Sequence, residues 1–197
     1  MIDRKYSWDL RTANTYPSAH QLAFFSTAEC QQIIELGLSK TPIESYIGQE
    51  QQVDNAIRKN RVVFLDPHDV QVQWIFERLA QGIKSINQQF WQFDLNMIET
   101  LQFTRYDRPE DFYAAHMDMS HGQTEQRKLG FSVQLSDPNS YTGSDLEFHG
   151  VGMQFYPSVR DQGALVIFPS YMVHQVTPIT SGARYSLVGW VVGPPYR

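Results

Sequence analysis

Gly163-Ala164-Leu165-Val166-Ile167-Phe168-Pro169-Ser170-Tyr171-Met172-Val173-His174-Gln175-Val176-Thr177-Pro178 holds two apolar runs, parted by a Pro-Ser turn and closed by a second proline. Each run is the length of one strand and too short for a helix. Ala164–Phe168 and Met172–Val176 are therefore expected to be strands. The same pattern extends outward in both directions. Met97–Tyr106, Phe112–Asp118, Leu129–Leu135 and Leu146–Phe148 precede the stretch, and Arg184–Val192 follows it. Turn residues separate them: Pro109, Gly122, Pro138-Asn139, Gly143, Gly150, Pro157 and Gly182. Many short strands at this spacing point to a sandwich or jelly roll.

Upstream of about residue 95 the pattern is helical. Ser26-Thr27-Ala28-Glu29 reads as a capping box, in which serine and glutamate satisfy each other's free backbone N–H groups. It predicts a helix over Thr27–Leu38, with Ile33, Ile34, Leu36 and Leu38 as its apolar residues. A second helix should follow the turn Asp66-Pro67-His68-Asp69. There Val72, Ile75, Phe76, Leu79, Ile83, Ile86 and Phe90 form one stripe at helical spacing, as core-packing faces do. Arg61–Leu65 reads as a strand between the helices. The expectation is a mainly β, α+β protein. It is a single domain over 1–197, with helical support over roughly 1–95 and a jelly-roll core over roughly 96–197. The helices should pack on the outside of one sheet.

A net charge of -5 without a long run of either sign leaves no basic stripe, so no nucleic-acid partner is expected. No window is apolar for long enough to span a bilayer, so no membrane partner is expected either. Cys30 is the only cysteine, which excludes an internal disulfide, and Met1–Lys5 lacks the apolar stretch of a secretory leader. A cytoplasmic protein is the resulting expectation.

The chemistry begins with His116-Met117-Asp118. Residues two apart on a strand face the same way, so an imidazole and a carboxylate can converge on one point. Alone the pair reads first as a hydrogen-bonded surface feature. His174, on a later strand, supplies a second imidazole. Two histidines and a carboxylate can hold iron(II) on one face and leave the other open, and zinc accepts the same ligands. Ten residues after His174 comes Arg184. Parity puts Arg184, Ser186, Val188 and Trp190 on one face of their strand, and Tyr185, Leu187 and Val191 on the other. A guanidinium inside a barrel calls for an anion. That anion is either a bound dicarboxylate, gripped by a two-pronged fork, or a structural partner such as Asp145 or Glu147.

Thr104-Arg105-Tyr106, His116-Met117-Asp118, Gly163–Pro169, His174–Pro178 and Gly182–Trp190 together resemble the prolyl-4-hydroxylase-like branch of the iron(II)/2-oxoglutarate dioxygenases, and especially its PKHD-type hydroxylases. The resemblance covers roughly the second half of the chain and implies a double-stranded β-helix. It implies iron(II) ligation by His116, Asp118 and His174, and pairing of Arg184 with the distal carboxylate of 2-oxoglutarate. It further implies that Tyr106 and Ser186 contact this cosubstrate. Trp190 would lie near the metal pocket and Tyr113 at the substrate entrance. Ser144 stands where the family commonly has the second glycine of a turn. The implied reagents are Fe(II), 2-oxoglutarate and O2, with ascorbate as a supporting reductant. The implied reaction is hydroxylation of an unactivated C–H bond, with a prolyl residue of a peptide or protein as leading substrate and a small molecule as the alternative. A zinc-dependent hydrolase and a non-catalytic binding module are the competing functional classes.

Other residues invite blander readings. Cys30 is expected to pack in the core. His20, His68, His121 and His149 have no recruiting spacing. Ser120–Lys128 and Glu50–Asn60 are polar stretches that would serve as lids or as ordinary solvated loops.

Overall fold

The computed structural model describes residues 16–44, 56–119, 124, 126–150 and 154–195. In chain order the elements are β1 (Ala19–Gln21), α1 (Thr27–Ser39), β2 (Ile43–Glu44), β3 (Arg58–Lys59), β4 (Arg61–Leu65), α2 (Gln73–Phe90), β5 (Met97–Ile98), β6 (Leu101–Tyr106), β7 (Phe112–His116), β8 (Arg127–Gln134), β9 (Tyr141–Gly143), β10 (Leu146–His149), β11 (Phe155–Pro157), β12 (Leu165–Pro169), β13 (His174–Val176), β14 (Ile179–Gly182) and β15 (Arg184–Val192). Among the described residues they form a large sheet, β1-β12-β8-β15-β6-β4-β2 with β5 on β15, and a smaller sheet, β11-β10-β13-β7-β3. A two-stranded ribbon of β14 and β9 completes the set. The paired strands are antiparallel throughout. From β6 onward the chain alternates: β6, β8, β12 and β15 enter the large sheet, while β7, β10 and β13 enter the smaller one. This alternation is a jelly roll in its double-stranded β-helix form.

Side-chain alternation divides the interior into two clusters. Leu101, Phe103, Leu129, Phe131, Val133, Leu165, Ile167, Leu187 and Val191 point from the large sheet toward the helices, where Cys30, Ile33, Ile34, Ile75, Leu79, Ile83 and Ile86 meet them. Their strand neighbours Tyr106, Val166 and Phe168 face the other way, into a smaller cluster with Leu146, Phe148 and Val176. Each fully buried Leu, Ile or Phe contributes about 1.5–3 kcal/mol, so the helix-facing cluster carries most of the stability.

The capping box at Ser26 and Glu29 is present, and α1 starts where it predicts. Leu38, expected inside, is exposed, and Gly37 takes its place in the core because any side chain there would overlap the Phe103 ring. The stripe of α2 is buried at Val72, Ile75, Leu79, Ile83 and Ile86. The first half is less purely helical than its pattern suggests, since it supplies β1, β2 and β4 to the large sheet and β3 to the smaller one. The strand expected over Met97–Tyr106 is split, because β5 and β6 meet β15 in registers one residue apart. Neither helix is long and apolar enough to cross a membrane.

Ser144 adopts φ +53, directly after Gly143 at φ +71. The turn therefore keeps a left-handed conformation that suits glycine, with a serine in it.

Candidate metal centre

His116 ends β7 and His174 begins β13, and the two are direct partners across the smaller sheet. Their ring centroids lie 4.3 Å apart. Each imidazole is fixed by the carbonyl two residues before it, Nδ1 lying 2.8 Å from Ala114 O in His116 and 2.9 Å from Met172 O in His174. A proton on each Nδ1 leaves the Nε2 lone pairs free, and both are turned toward Asp118. Asp118 lies beyond the end of β7, which stops at His116 instead of running through as expected. Its backbone N–H donates to Ser170 O at 3.0 Å, which anchors the loop on the β12–β13 connection. Asp118 Oδ1 is 3.7 Å from His116 Nε2 and 3.7 Å from His174 Nε2. These separations exceed a hydrogen bond and leave a gap among three donors suited to a small cation. One ligand atom from each residue lies within 4.8 Å of the others.

Gly130, on the neighbouring large sheet, makes room for this arrangement. A Cβ there would collide with Asp118 Oδ2 and with the Phe168 ring. Burial, reinforced by the adjacent His174, holds the His116 imidazole down to about 4, so it is neutral and ready to donate its lone pair near pH 7.

The same cavity holds the predicted face of β15. Arg184, Ser186, Val188 and Trp190 line it beside His116, Asp118 and His174. Tyr185, Leu187 and Val191 face the helices, as parity requires. Arg184 is only 2% exposed. Its Nε and Nη2 both donate to Gln134 Oε1, at 3.2 and 2.8 Å, and its buried Nη1 has no partner. The expected structural alternatives are absent: Asp145 is taken up by Arg160, and Glu147 accepts from Gln175 at 2.7 Å. Ser186 Oγ is likewise buried without a partner.

The centroid of the Tyr106 ring lies 5.4 Å from the Arg184 guanidinium. Burial pushes this phenol up, so it keeps its proton. Tyr113 stacks on His116 at 3.6 Å between ring centroids. Trp190 carries the Arg127 guanidinium 3.9 Å above its ring.

Other expectations fall outside the centre. His149 packs on Phe155, and neither it nor His20 or His68 joins the cluster. Cys30 is buried in the core. His121 lies outside the described residues, as do most of Ser120–Lys128 and the first half of Glu50–Asn60. Three contributors carried no usable sequence signal. Gln134 is recognisable only as the partner of Arg184, Gly130 only by its clearance for Asp118, and Arg58 only by its place on the cavity wall.

A jelly roll with two imidazoles and a carboxylate converging beside a buried, incompletely partnered arginine defines a candidate mononuclear metal centre of the facial-triad type. Residues 101–192 match the family model described as the 2OG-Fe(II) oxygenase superfamily. A PKHD-type hydroxylase of Hyphomonas neptunium is 42% identical over 86 residues, which are 41% of this chain and 38% of that protein. One from Synechococcus sp. (strain CC9311) is 35% identical over 82 residues, covering 42% and 37%. The matches thus span under two-fifths of these relatives' length. Among solved structures, a prolyl-4-hydroxylase of Pseudomonas putida superposes with a TM-score of 0.69 at 21% identity, over 91% of this chain and 94% of that one. A Trichoplax adhaerens prolyl hydroxylase, in complex with a hypoxia inducible factor oxygen degradation domain peptide fragment, gives 0.74 at 15% identity, over 90% and 84%. These two likenesses establish the fold. Over residues 101–192 the chain is similar to the 2OG-Fe(II) oxygenase superfamily, and over much of the same stretch to PKHD-type hydroxylases.

Proposed function

We propose that this chain is an iron(II)- and 2-oxoglutarate-dependent dioxygenase that hydroxylates an unactivated C–H bond, with a prolyl residue of a peptide or protein as the leading substrate. His116, Asp118 and His174 would hold the iron. Bound there, iron(II) supplies the redox chemistry that couples dioxygen and 2-oxoglutarate to substrate hydroxylation, with succinate and carbon dioxide as co-products. The donor set fits, with two imidazoles and one carboxylate on one side of the gap and room left on the other.

One observation carries the reading. Arg184 sits in the same cavity as the triad, and its side-chain hydrogen bonds go to a neutral amide, with Nη1 unpaired. A buried guanidinium without an anion is costly, and a carboxylate seated on its free edge removes that cost. In this role Arg184 orients the distal carboxylate of 2-oxoglutarate. Ser186 Oγ, also buried and unpaired, gives it a further hydrogen bond. The protonated Tyr106 hydroxyl donates to the same cosubstrate. A hydrolytic zinc centre has no general need for such an arginine. The peptidyl substrate is supported by the prolyl hydroxylases among the structural relatives, one of them holding a peptide. The cytoplasmic placement rests on the lone, buried Cys30.

The test is anaerobic titration of the metal-free protein with iron(II) and 2-oxoglutarate, read as the visible charge-transfer band of the chelate. Arg184→Ala should need at least tenfold more 2-oxoglutarate to reach half of the band. With ascorbate and air, the parent protein should release succinate. Absence of the band from the parent protein removes this function, and zinc-dependent activity indifferent to 2-oxoglutarate would replace it with hydrolysis.

A further inference from the structure

Arg58 is a second buried cation in the cavity that holds the triad and Arg184. It lies on β3, at the edge of the smaller sheet, whereas Arg184 approaches from the large sheet. It is 8% exposed and lines the same wall as Tyr106 and Tyr113. Its partners are neutral. Nε donates to Asn60 Oδ1 at 3.1 Å and Nη2 to Gln102 Oε1 at 3.2 Å. The guanidinium rests 4.5 Å from the centroid of the Tyr113 ring, which also stacks on the His116 imidazole at 3.6 Å. Arg58 thus stands one aromatic ring away from the metal centre. The nearby carboxylate of Asp111 is already taken up by Arg108 and by the backbone N–H groups of residues 107 and 108.

The charge balance of the cavity gives Arg58 its meaning. Among the described residues that line it, the charged ones are Asp118, Arg58 and Arg184. Add a divalent ion and a dicarboxylate, and the ion and the dicarboxylate cancel. Asp118 then offsets one guanidinium and leaves the other uncompensated. A buried positive charge with amide partners alone favours an incoming anion. Arg184 is matched by the distal carboxylate of the cosubstrate, whose other end belongs to the metal, so the residual charge falls to Arg58.

We propose that Arg58 is a specificity residue for the primary substrate and that this substrate presents a carboxylate close to the carbon that is hydroxylated. This rests on the function proposed above and narrows its substrate class from any accessible C–H donor to an anionic one. A free C-terminal carboxylate on the reacting residue and an acidic side chain next to it share this chemistry.

The experiment uses the iron(II)-loaded protein with saturating 2-oxoglutarate and two pairs of probes that differ by one charge. N-acetyl-L-proline is set against N-acetyl-L-prolinamide, and N-acetyl-Pro-Glu-amide against N-acetyl-Pro-Gln-amide. Succinate release reports turnover. The shift in thermal midpoint of the anaerobic manganese(II)-loaded protein reports binding. The acid member of at least one pair should be favoured at least tenfold in kcat/KM and should bind more tightly. Arg58→Gln should bring that ratio within about twofold of unity and leave the half-saturating 2-oxoglutarate concentration in the band titration unchanged within twofold. Arg58→Lys should restore part of the preference. Parent protein that treats acid and amide alike overturns the inference whether or not the variants fold. So does an Arg58→Gln protein that binds 2-oxoglutarate tenfold more weakly, because Arg58 would then serve the cosubstrate. A parent protein that forms no iron–2-oxoglutarate band removes the wider reading, and this inference with it, so the two failures are told apart by the band.

Discussion

Gly130→Ala should disable the metal centre without substituting any proposed ligand. Gly130 faces the cavity from β8, opposite Trp190 in the register with β15, and its missing side chain leaves the space that Asp118 Oδ2 occupies. A methyl group there would meet the carboxylate oxygen and the Phe168 ring at distances real side chains do not tolerate. Phe168 is buried and packed against Phe148, so the carboxylate is the part that gives way. Displacing the only anionic ligand of the set should weaken iron(II) binding by about 10- to 100-fold, the range seen when the support of a metal ligand is lost, or roughly 1.4–2.8 kcal/mol. Overpacking itself should lower folding stability by about 1–3 kcal/mol. Gly189→Ala separates the two effects. Gly189 lies beside Gly130 on the next strand but faces the other way, and a methyl group there would strike Phe131 and Leu101 in the helix-facing core. It should destabilise by a similar amount and leave metal affinity alone. Competition of iron(II) against a chromophoric chelator measures affinity, and urea unfolding of the metal-free proteins measures stability. If Gly130→Ala binds iron as tightly as Gly189→Ala, Asp118 is not held where the structure puts it and the triad argument fails.

Two further outcomes follow from the geometry. Ser144→Gly should stabilise the protein by about 1 kcal/mol, because it removes left-handed strain and a buried hydroxyl that has no partner, against the entropy glycine adds to the unfolded chain; a lower urea midpoint would contradict this. The metal-free protein should lose stability as the pH falls from about 6.5 toward 4, since burial lowers His116 to about 4 and the unfolded chain takes up the proton first. The loss from this group is at most about 3 kcal/mol once the pH is below 4, and it should appear as the difference between the parent and His116→Gln. A parent curve no steeper than that of the variant would count against a buried neutral imidazole.

Much of this centre was legible because strand parity is a strong constraint. Once Arg184–Val192 is read as one strand, the faces of Arg184 and Leu187 follow, and the structure puts them in the cavity and in the helix-facing core respectively. The capping box fixed the start of α1 for a similar reason, since its two bonds are local to four residues. What could not be read depends on contacts distant in the chain. The end of β7 before Asp118 is set by a carbonyl on the β12–β13 turn, and the short strands β1, β9, β11 and β14 are too brief to show alternation. Arg58 is the sharpest case. It lies in a polar stretch that reads as a solvated loop, and only the pairing of β3 with β7 carries it to Tyr113. A cation in a polar segment has no sequence signature of burial, because burial here is conferred by the strand it meets 55 residues later. Arg184 and Ser186, proposed to bind the cosubstrate, lie on the nine-residue β15 and can be read from its periodicity. The residue proposed to choose the substrate lies on a two-residue edge strand, where the sequence pattern is weakest. Such an edge can change its side chains without disturbing the ladder that holds the triad. On this division the proposed chemistry would rest on β7, β13 and β15, and the proposed substrate selection would vary at β3.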